Sequence, residues 1–186
     1  MLWAGANLLS AVLASSATAF YVGVYTLWLK RTSRHNIVIG GAAGAVPVLV
    51  GWAAVTGSLA WTPIVLFLAM FFWTPPHFWA LAIRYADDYR AADVPMLPAV
   101  VPVAEAARQM TLYTVALVAS TLVLVPVAEL GWIYTGSAVV LGAGFLVGTV
   151  ALSMRPTPAA SMKVFAYSIT YVTLLFAAIT LDVLLA

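Results

Sequence analysis

The sequence predicts an all-α fold, a polytopic bundle of transmembrane helices. Of 186 residues, 65% are hydrophobic and only 8% are charged, against roughly 25% charged in a soluble domain. The mean hydropathy is +1.06. The apolar residues also gather into six runs, each near the roughly 20 residues that a helix needs to cross a hydrocarbon core about 30 Å thick. A soluble bundle of this composition would lack the polar surface to cover itself.

The runs follow in order. The first is Ala4 to Leu29, ended by Lys30-Arg31. The second is Asn36 to Val55, closed by Thr56-Gly57. The third is Trp61 to Ile83. It contains Pro75-Pro76, which removes two backbone donors, so a broken helix is expected there, with a cavity near His77 to receive the freed backbone groups. The fourth is Ala106 to Val127, the fifth Trp132 to Ser153, and the sixth Lys163 to Leu185. Connections are short except Arg84–Ala104, where Val94-Pro95-Met96-Leu97-Pro98 is expected to stop any further helix. Residues 1–186 thus form a single membrane domain. Gly40 with Gly44 and Gly144 with Gly148 make two GxxxG pairs, expected as ordinary close contacts within the bundle.

Orientation follows from the cations. If six helices alternate, all eight Lys and Arg residues fall on one face, which should be cytoplasmic. Glu129 and Asp182 fall towards the other. Trp3, Trp61 and Trp132 sit at outer ends and Trp28 and Trp79 towards the inner side, as in an aromatic belt. Met1 would then lie outside with no cationic anchor before the first helix. An odd number of helices upstream would resolve this, so the chain is expected to be the C-terminal part of a longer one.

Several classes are excluded. A net charge of +2 gives no sign of nucleic-acid binding. The absence of cysteine removes disulfides and thiolate chemistry. The N-terminus has no positively charged stretch of the signal-peptide kind. Nothing resembles a P-loop, a serine triad or a zinc site.

Chemistry is sought in WTPPHFWALAIRYADDYRAADVPMLP, residues 73–98, which holds three of the six carboxylates between Asp87 and Asp93. Adjacent acids just past a helix end suit a hard cation such as Mg²⁺, which takes one or two carboxylates plus phosphate oxygens and water. They equally suit a solvated loop. Arg84 precedes Asp87 by three residues and Asp88 by four, so on a continuing helix it pairs with either. Lys30, Arg31 and Arg34 either hold their loop inside or clamp a diphosphate whose charge must be neutralised as it departs. His77 lies within an apolar run, where a histidine is a functional candidate. It binds haem iron, accepts a proton, or hydrogen-bonds a neighbouring helix. His35 is expected to be an ordinary exposed residue, and Glu105, Tyr113, Glu129, Tyr167, Tyr171 and Asp182 interface or packing residues.

Three runs together carry a resemblance: YVGVYTLWLKRTSRHNIVIGGAAGAVPVLVGWAAVTG, WTPPHFWALAIRYADDYRAADVPMLP, and KVFAYSITYVTLLFAAITLD. They resemble the haem O synthase (protoheme IX farnesyltransferase) branch of the intramembrane UbiA-type prenyltransferase superfamily, over nearly the whole chain. The resemblance implies the last six of nine helices and an enzyme that transfers a farnesyl group from farnesyl diphosphate to the vinyl group of protoheme IX, giving haem O. Asp87 and Asp88 match the family's second acidic motif, with catalytic and Mg²⁺-binding roles through the diphosphate. Lys30 and Arg31 match the family's basic pair, a diphosphate-binding element to which Arg34 and Arg84 are added as candidates, and His77 matches its Pro-His pair, a haem-contact candidate. Asp93 stands where relatives often have glycine or asparagine and receives no metal role. The first acidic motif, expected after the family's second helix, is absent. The implied partners are membrane lipid and haem A synthase or oxidase assembly factors, and the implied location a bacterial cytoplasmic (inner) membrane. Two alternatives stand beside this: a haem-binding or haem-transporting membrane protein without catalysis, and a related prenyltransferase with an aromatic acceptor.

Overall fold

The computed structural model describes residues 2–185, and every regular element among them is helical. A short α1 (Leu2–Gly5) precedes α2 (Leu8–Phe20). Asn7 caps α2, its side chain accepting from the Ser10 N–H at 2.9 Å and donating to the Ala53 carbonyl at 2.5 Å. The next nine residues, Tyr21–Leu29, wind as a π-helix, and Thr26 Oγ1 donates to the Tyr21 carbonyl five residues back. A single turn, α3 (Lys30–Thr32), ends this span. Then come α4 (Asn36–Thr56), α5 (Trp61–Arg84), the short α6 (Ala86–Ala91) and α7 (Leu97–Val100), α8 (Val103–Val127), α9 (Trp132–Met154) and α10 (Pro158–Leu185). Six helical spans are long and apolar enough to cross a membrane, and the protein is an integral membrane protein.

The expected boundaries need four corrections. The first run is not one uniform α-helix. It changes to the wider π winding at Tyr21, a rare form that often marks functional sites. The third span is not broken: α5 continues through Pro75-Pro76. The fixed φ of proline is compatible with helix, and Pro75, Pro76, Trp79 and Ala80 are all buried against neighbours. Val94–Pro98 does not end helix formation, because Leu97 starts α7 with Pro98 in its first turn, where the missing N–H costs nothing. Finally, α8 and α10 begin earlier than the apolar runs, at Val103 and Pro158.

Four helices close a ring, α5 packing on α8, α8 on α9, α9 on α10, and α10 back on α5. The packing repeats every three or four residues. On α10 the buried set is Ser161, Val164, Ser168, Tyr171, Leu175, Ala178 and Asp182, and on α8 Met110, Thr114, Leu117, Thr121 and Leu124 lie inside. This alternation is that of a left-handed bundle. The buried stripes are smaller and more polar than the surface, as expected where lipid is as apolar as any core. Their serine and threonine hydroxyls are satisfied locally, as where Thr114 donates to the Met110 carbonyl at 2.8 Å, while the buried Tyr171 hydroxyl has no partner. Tyrosine hydroxyls bridge helices, Tyr134 to the Thr121 carbonyl and Tyr167 to the Leu141 carbonyl.

Outside the ring, α2 packs on α4 and α4 on α5. A Cβ at Gly41 would collide with Thr74 of α5, and Gly40 lies under the Tyr25 ring of the π-helix. Gly44 has open space above it. The first GxxxG is therefore half a packing contact and half the wall of a groove. In the second, Gly144 is covered by the Tyr167 hydroxyl and Gly148 lies near Val164, a contact between α9 and α10 as expected.

Candidate functional site

The acidic segment is a built structure, not a loose loop. α5 stops at Arg84 and turns at Tyr85, and α6 carries Asp87 and Asp88 in its first turn, where the helix dipole favours negative charge. α6 closes with Asp93 in the left-handed region, at φ +52°. The Asp93 N–H bonds to the Arg90 carbonyl and the Val94 N–H to the Tyr89 carbonyl, the paired bonds of a Schellman ending. That conformation favours glycine or asparagine, which gives a conformational reason for the residues implied at this position in relatives. Arg90 ties the segment together. Its Nε donates to the Ala99 carbonyl of α7 at 2.9 Å, and its Nη1 pairs with the Asp87 carboxylate.

The basic segment is anchored beside it. Asn36, fully buried at the start of α4, donates from Nδ2 to the Lys30 carbonyl at 3.3 Å, while its Oδ1 has no partner. Arg31 then lies with Arg90, Asp93, Val94, Pro95, Ala99 and Val100 around one cavity of about 320 Å³. The two charged segments, about 60 residues apart in sequence, thus meet at one end of the bundle.

Not every expected residue joins them. Lys30, Arg34, Arg84, Asp87 and Asp88 are exposed and do not line this cavity; Asp87 reaches it only through its ion pair with Arg90. The expected pairing of Arg84 with Asp87 or Asp88 is not made, because the helix breaks at Tyr85 and turns the acids away. Asp87 pairs with Arg90 instead, the one ion pair among the described residues. Asp88 is exposed, and Asp87 is 97% exposed. Arg90 and Asn36 were missed by the sequence reading. The i,i+3 spacing of Asp87 and Arg90 was the available signal for the first. Nothing in the sequence marks Asn36.

An apolar groove of about 820 Å³ runs between α2, α4 and α5. Tyr25 and Ile37 line it towards the charged end, and Val50 and Gly51 lie deeper. From Ile37 to Gly51 the helix rises about 21 Å. Trp73, Thr74 and Phe78 of α5 complete the wall, while His77 does not line it. The cavity expected near His77 therefore exists beside it, on the adjoining face of an unbroken helix.

His77 is held between two aromatic rings, Trp73 at 4.2 Å and Phe165 at 4.7 Å between centroids. Its Nδ1 lies 2.7 Å from Ser168 Oγ. That hydroxyl donates its single proton to the Phe165 carbonyl at 2.6 Å, so it accepts from His77. The Nδ1–H tautomer follows, leaving the lone pair on Nε2. Trp73 Nε1 donates to the Ser168 carbonyl at 2.9 Å, locking α5 to α10 at this point. Of the three roles considered for His77, helix bonding is made by one nitrogen and leaves the other free for a second.

Among the described residues, no group of three or more His, Cys, Asp or Glu side chains could hold a bare metal ion. Asp87 and Asp88 supply two exposed hard-oxygen donors, which fits Mg²⁺ carried with a diphosphate, where phosphate oxygens and water complete the shell.

The chain is thus a membrane bundle whose basic and acidic segments meet at one end, near an apolar groove. Residues 1–179 match the UbiA prenyltransferase family, and the chain belongs to it. Among its relatives, a protein of Frankia alni is 55% identical over 176 residues, covering 91% of this chain and 60% of its own length. One of Gloeobacter violaceus is 54% identical over 183 residues, covering 98% and 60%. One of a Nocardioides strain is 50% identical over 192 residues, covering 100% and 61%. All three are named protoheme IX farnesyltransferase. The chain spans about 60% of the length of these relatives. No solved structure matches it.

Proposed function

We propose that this segment takes part in the transfer of a farnesyl group from farnesyl diphosphate to a vinyl group of protoheme IX, giving haem O. The observation that carries the reading is the meeting of Arg31 with the Arg90–Val100 segment at the end of the bundle where Tyr25 and Ile37 line the apolar groove.

The chain's groups divide the work. Asp87 and Asp88 would hold Mg²⁺ carried with the diphosphate, a metal that UbiA prenyltransferases generally use and that would neutralise leaving-group charge. Arg31 lines the adjoining cavity with Arg90, the ion-pair partner of Asp87, and Lys30, Arg34 and Arg84 add positive potential around it. The groove takes the farnesyl chain and keeps water from the allylic carbon. There the C–O bond breaks and diphosphate departs with the electron pair. The vinyl carbon of haem forms the new C–C bond, and water adds to the resulting cation with loss of a proton. His77 offers Nε2 to the haem. The first acidic motif that the resemblance implies would come from the part of the relatives' length that this chain does not match. The charged end faces the cytoplasm of a bacterial inner membrane.

The test is a chimera in which residues 1–186 replace the matching segment of the Frankia alni relative. With Mg²⁺, farnesyl diphosphate and haem it should form haem O, followed by mass spectrometry. Diphosphate release with a different prenylated acceptor would move the assignment to another branch. Haem binding with no diphosphate release would favour transport.

A further inference from the structure

Arg155 and Lys163 take no part in the site above. Both line a second groove, of about 470 Å³, between α9 and α10. Arg155 follows the last turn of α9 and Lys163 lies in the second turn of α10, so both stand at the charged end of the bundle. Both are exposed, and neither has an ion-pair partner among the described residues. No carboxylate lines the groove.

The rest of the wall is shallow and apolar. Gly148, Ala151 and Ala160 leave the space open as far as the Tyr167 hydroxyl, which covers Gly144. The polar groups that border it are engaged: the Tyr167 hydroxyl donates to the Leu141 carbonyl, and Thr157 Oγ1 accepts from the Ala160 N–H. The free polar groups are therefore the two cations, gathered at one end. Between Gly144 and Arg155 the helix rises about 16 Å, close to half of a hydrocarbon core about 30 Å thick. A cationic mouth above an apolar channel one leaflet deep is complementary to one lipid.

We propose that this groove binds an anionic phospholipid of the adjacent leaflet. The phosphate sits between Arg155 and Lys163, and an acyl chain runs past Gly148 towards Gly144. A free phosphate would leave the apolar length unused. The groove also shares no lining residue with the Arg31–Arg90 cavity and offers no carboxylate for a metal-bound diphosphate.

The chain is reconstituted in phosphatidylcholine bilayers carrying spin-labelled phosphatidylglycerol or spin-labelled phosphatidylcholine, and the motionally restricted fraction is measured. Phosphatidylglycerol should be preferred about thirtyfold, the order expected for two basic side chains at a lipid surface. Arg155→Gln with Lys163→Gln should erase the preference. Arg108→Gln, an exposed cation at the same end, should retain it. Gly148→Leu fills the channel without touching either charge and should also erase it, which decides the matter if the double variant does not fold. Equal restriction of the two lipids by the unaltered chain overturns the proposal, as does a preference that survives Gly148→Leu. Displacement by equimolar glycerol phosphate would reduce the site to a phosphate site. Displacement by farnesyl diphosphate would assign it to the isoprenoid substrate. Either result contradicts a phospholipid site.

Discussion

At one end of the bundle Asp182 is 5% exposed, and at the other Asp87 and Asp88 stand in the open. The Asp182 carboxylate accepts from the Gly131 N–H through Oδ2 and from the Tyr134 N–H at 3.1 Å through Oδ1. It thereby caps α9 from α10, satisfying two of the donors that every helix start leaves free. Asp87 has one partner, Arg90, and Asp88 has no ion pair among the described residues. The same side chain is thus consumed by the fold at one end and left available at the other. An acid whose oxygens are already spent on backbone is architecture. An acid held in place but unspent, beside arginines, is where a ligand's charge can enter.

This contrast is broken most strongly at Asp88. In the chimera, Asp88→Asn should lower haem O formation by about 10²-fold or more, the scale of losing one charge-stabilising group, with unchanged membrane insertion and thermal stability. At the other end, Asp182→Ala should leave the chemistry intact but cost about 2 kcal/mol in stability, read as a lower unfolding temperature in detergent. Asp182→Asn keeps an acceptor and should recover part of that loss. A smaller effect is expected at Ser168→Ala, which releases His77 Nδ1. Haem affinity should fall about tenfold, as for other partners that orient a ligating histidine, in a Soret titration, while Ser168→Thr restores it. The smallest is Asp93→Gly, which relieves the left-handed residue and should raise stability by about 1 kcal/mol without altering product formation.

The spans were legible because a helix in lipid needs length and apolarity, and each run had both. Their facing was not. On α10 the buried residues include Ser161, Ser168 and Asp182, while Leu174, Leu181 and Leu184 are exposed, so hydrophobic periodicity points nowhere in a medium as apolar as the core. The start of α10 was hidden because Pro158 and Ser161 look like loop residues, though proline suits a first helical turn. Pro75-Pro76 reads as a break in the sequence because lost hydrogen bonds are visible there and the packing that keeps α5 helical through them is not. Asp182 reads from the sequence as an interface or packing residue and not as a cap, since its partners Gly131 and Tyr134 lie about 50 positions away. The acidic pair, the basic pair and the Pro-His element were visible as local patterns. That Arg31 and Arg90 border one cavity depends on how α4, α5 and α7 pack, which no local pattern encodes.

The meeting of the two charged segments is most directly tested by cross-linking, since the chain has no cysteine of its own. Arg31→Cys is paired with Val100→Cys across the cavity, and with Glu129→Cys at the far end as control, in native-like bilayers with a short bifunctional maleimide. Efficient cross-linking of 31 with 100 and none of 31 with 129 is the predicted result. If 31 and 100 fail to cross-link although each is labelled singly, the basic and acidic segments do not form one site.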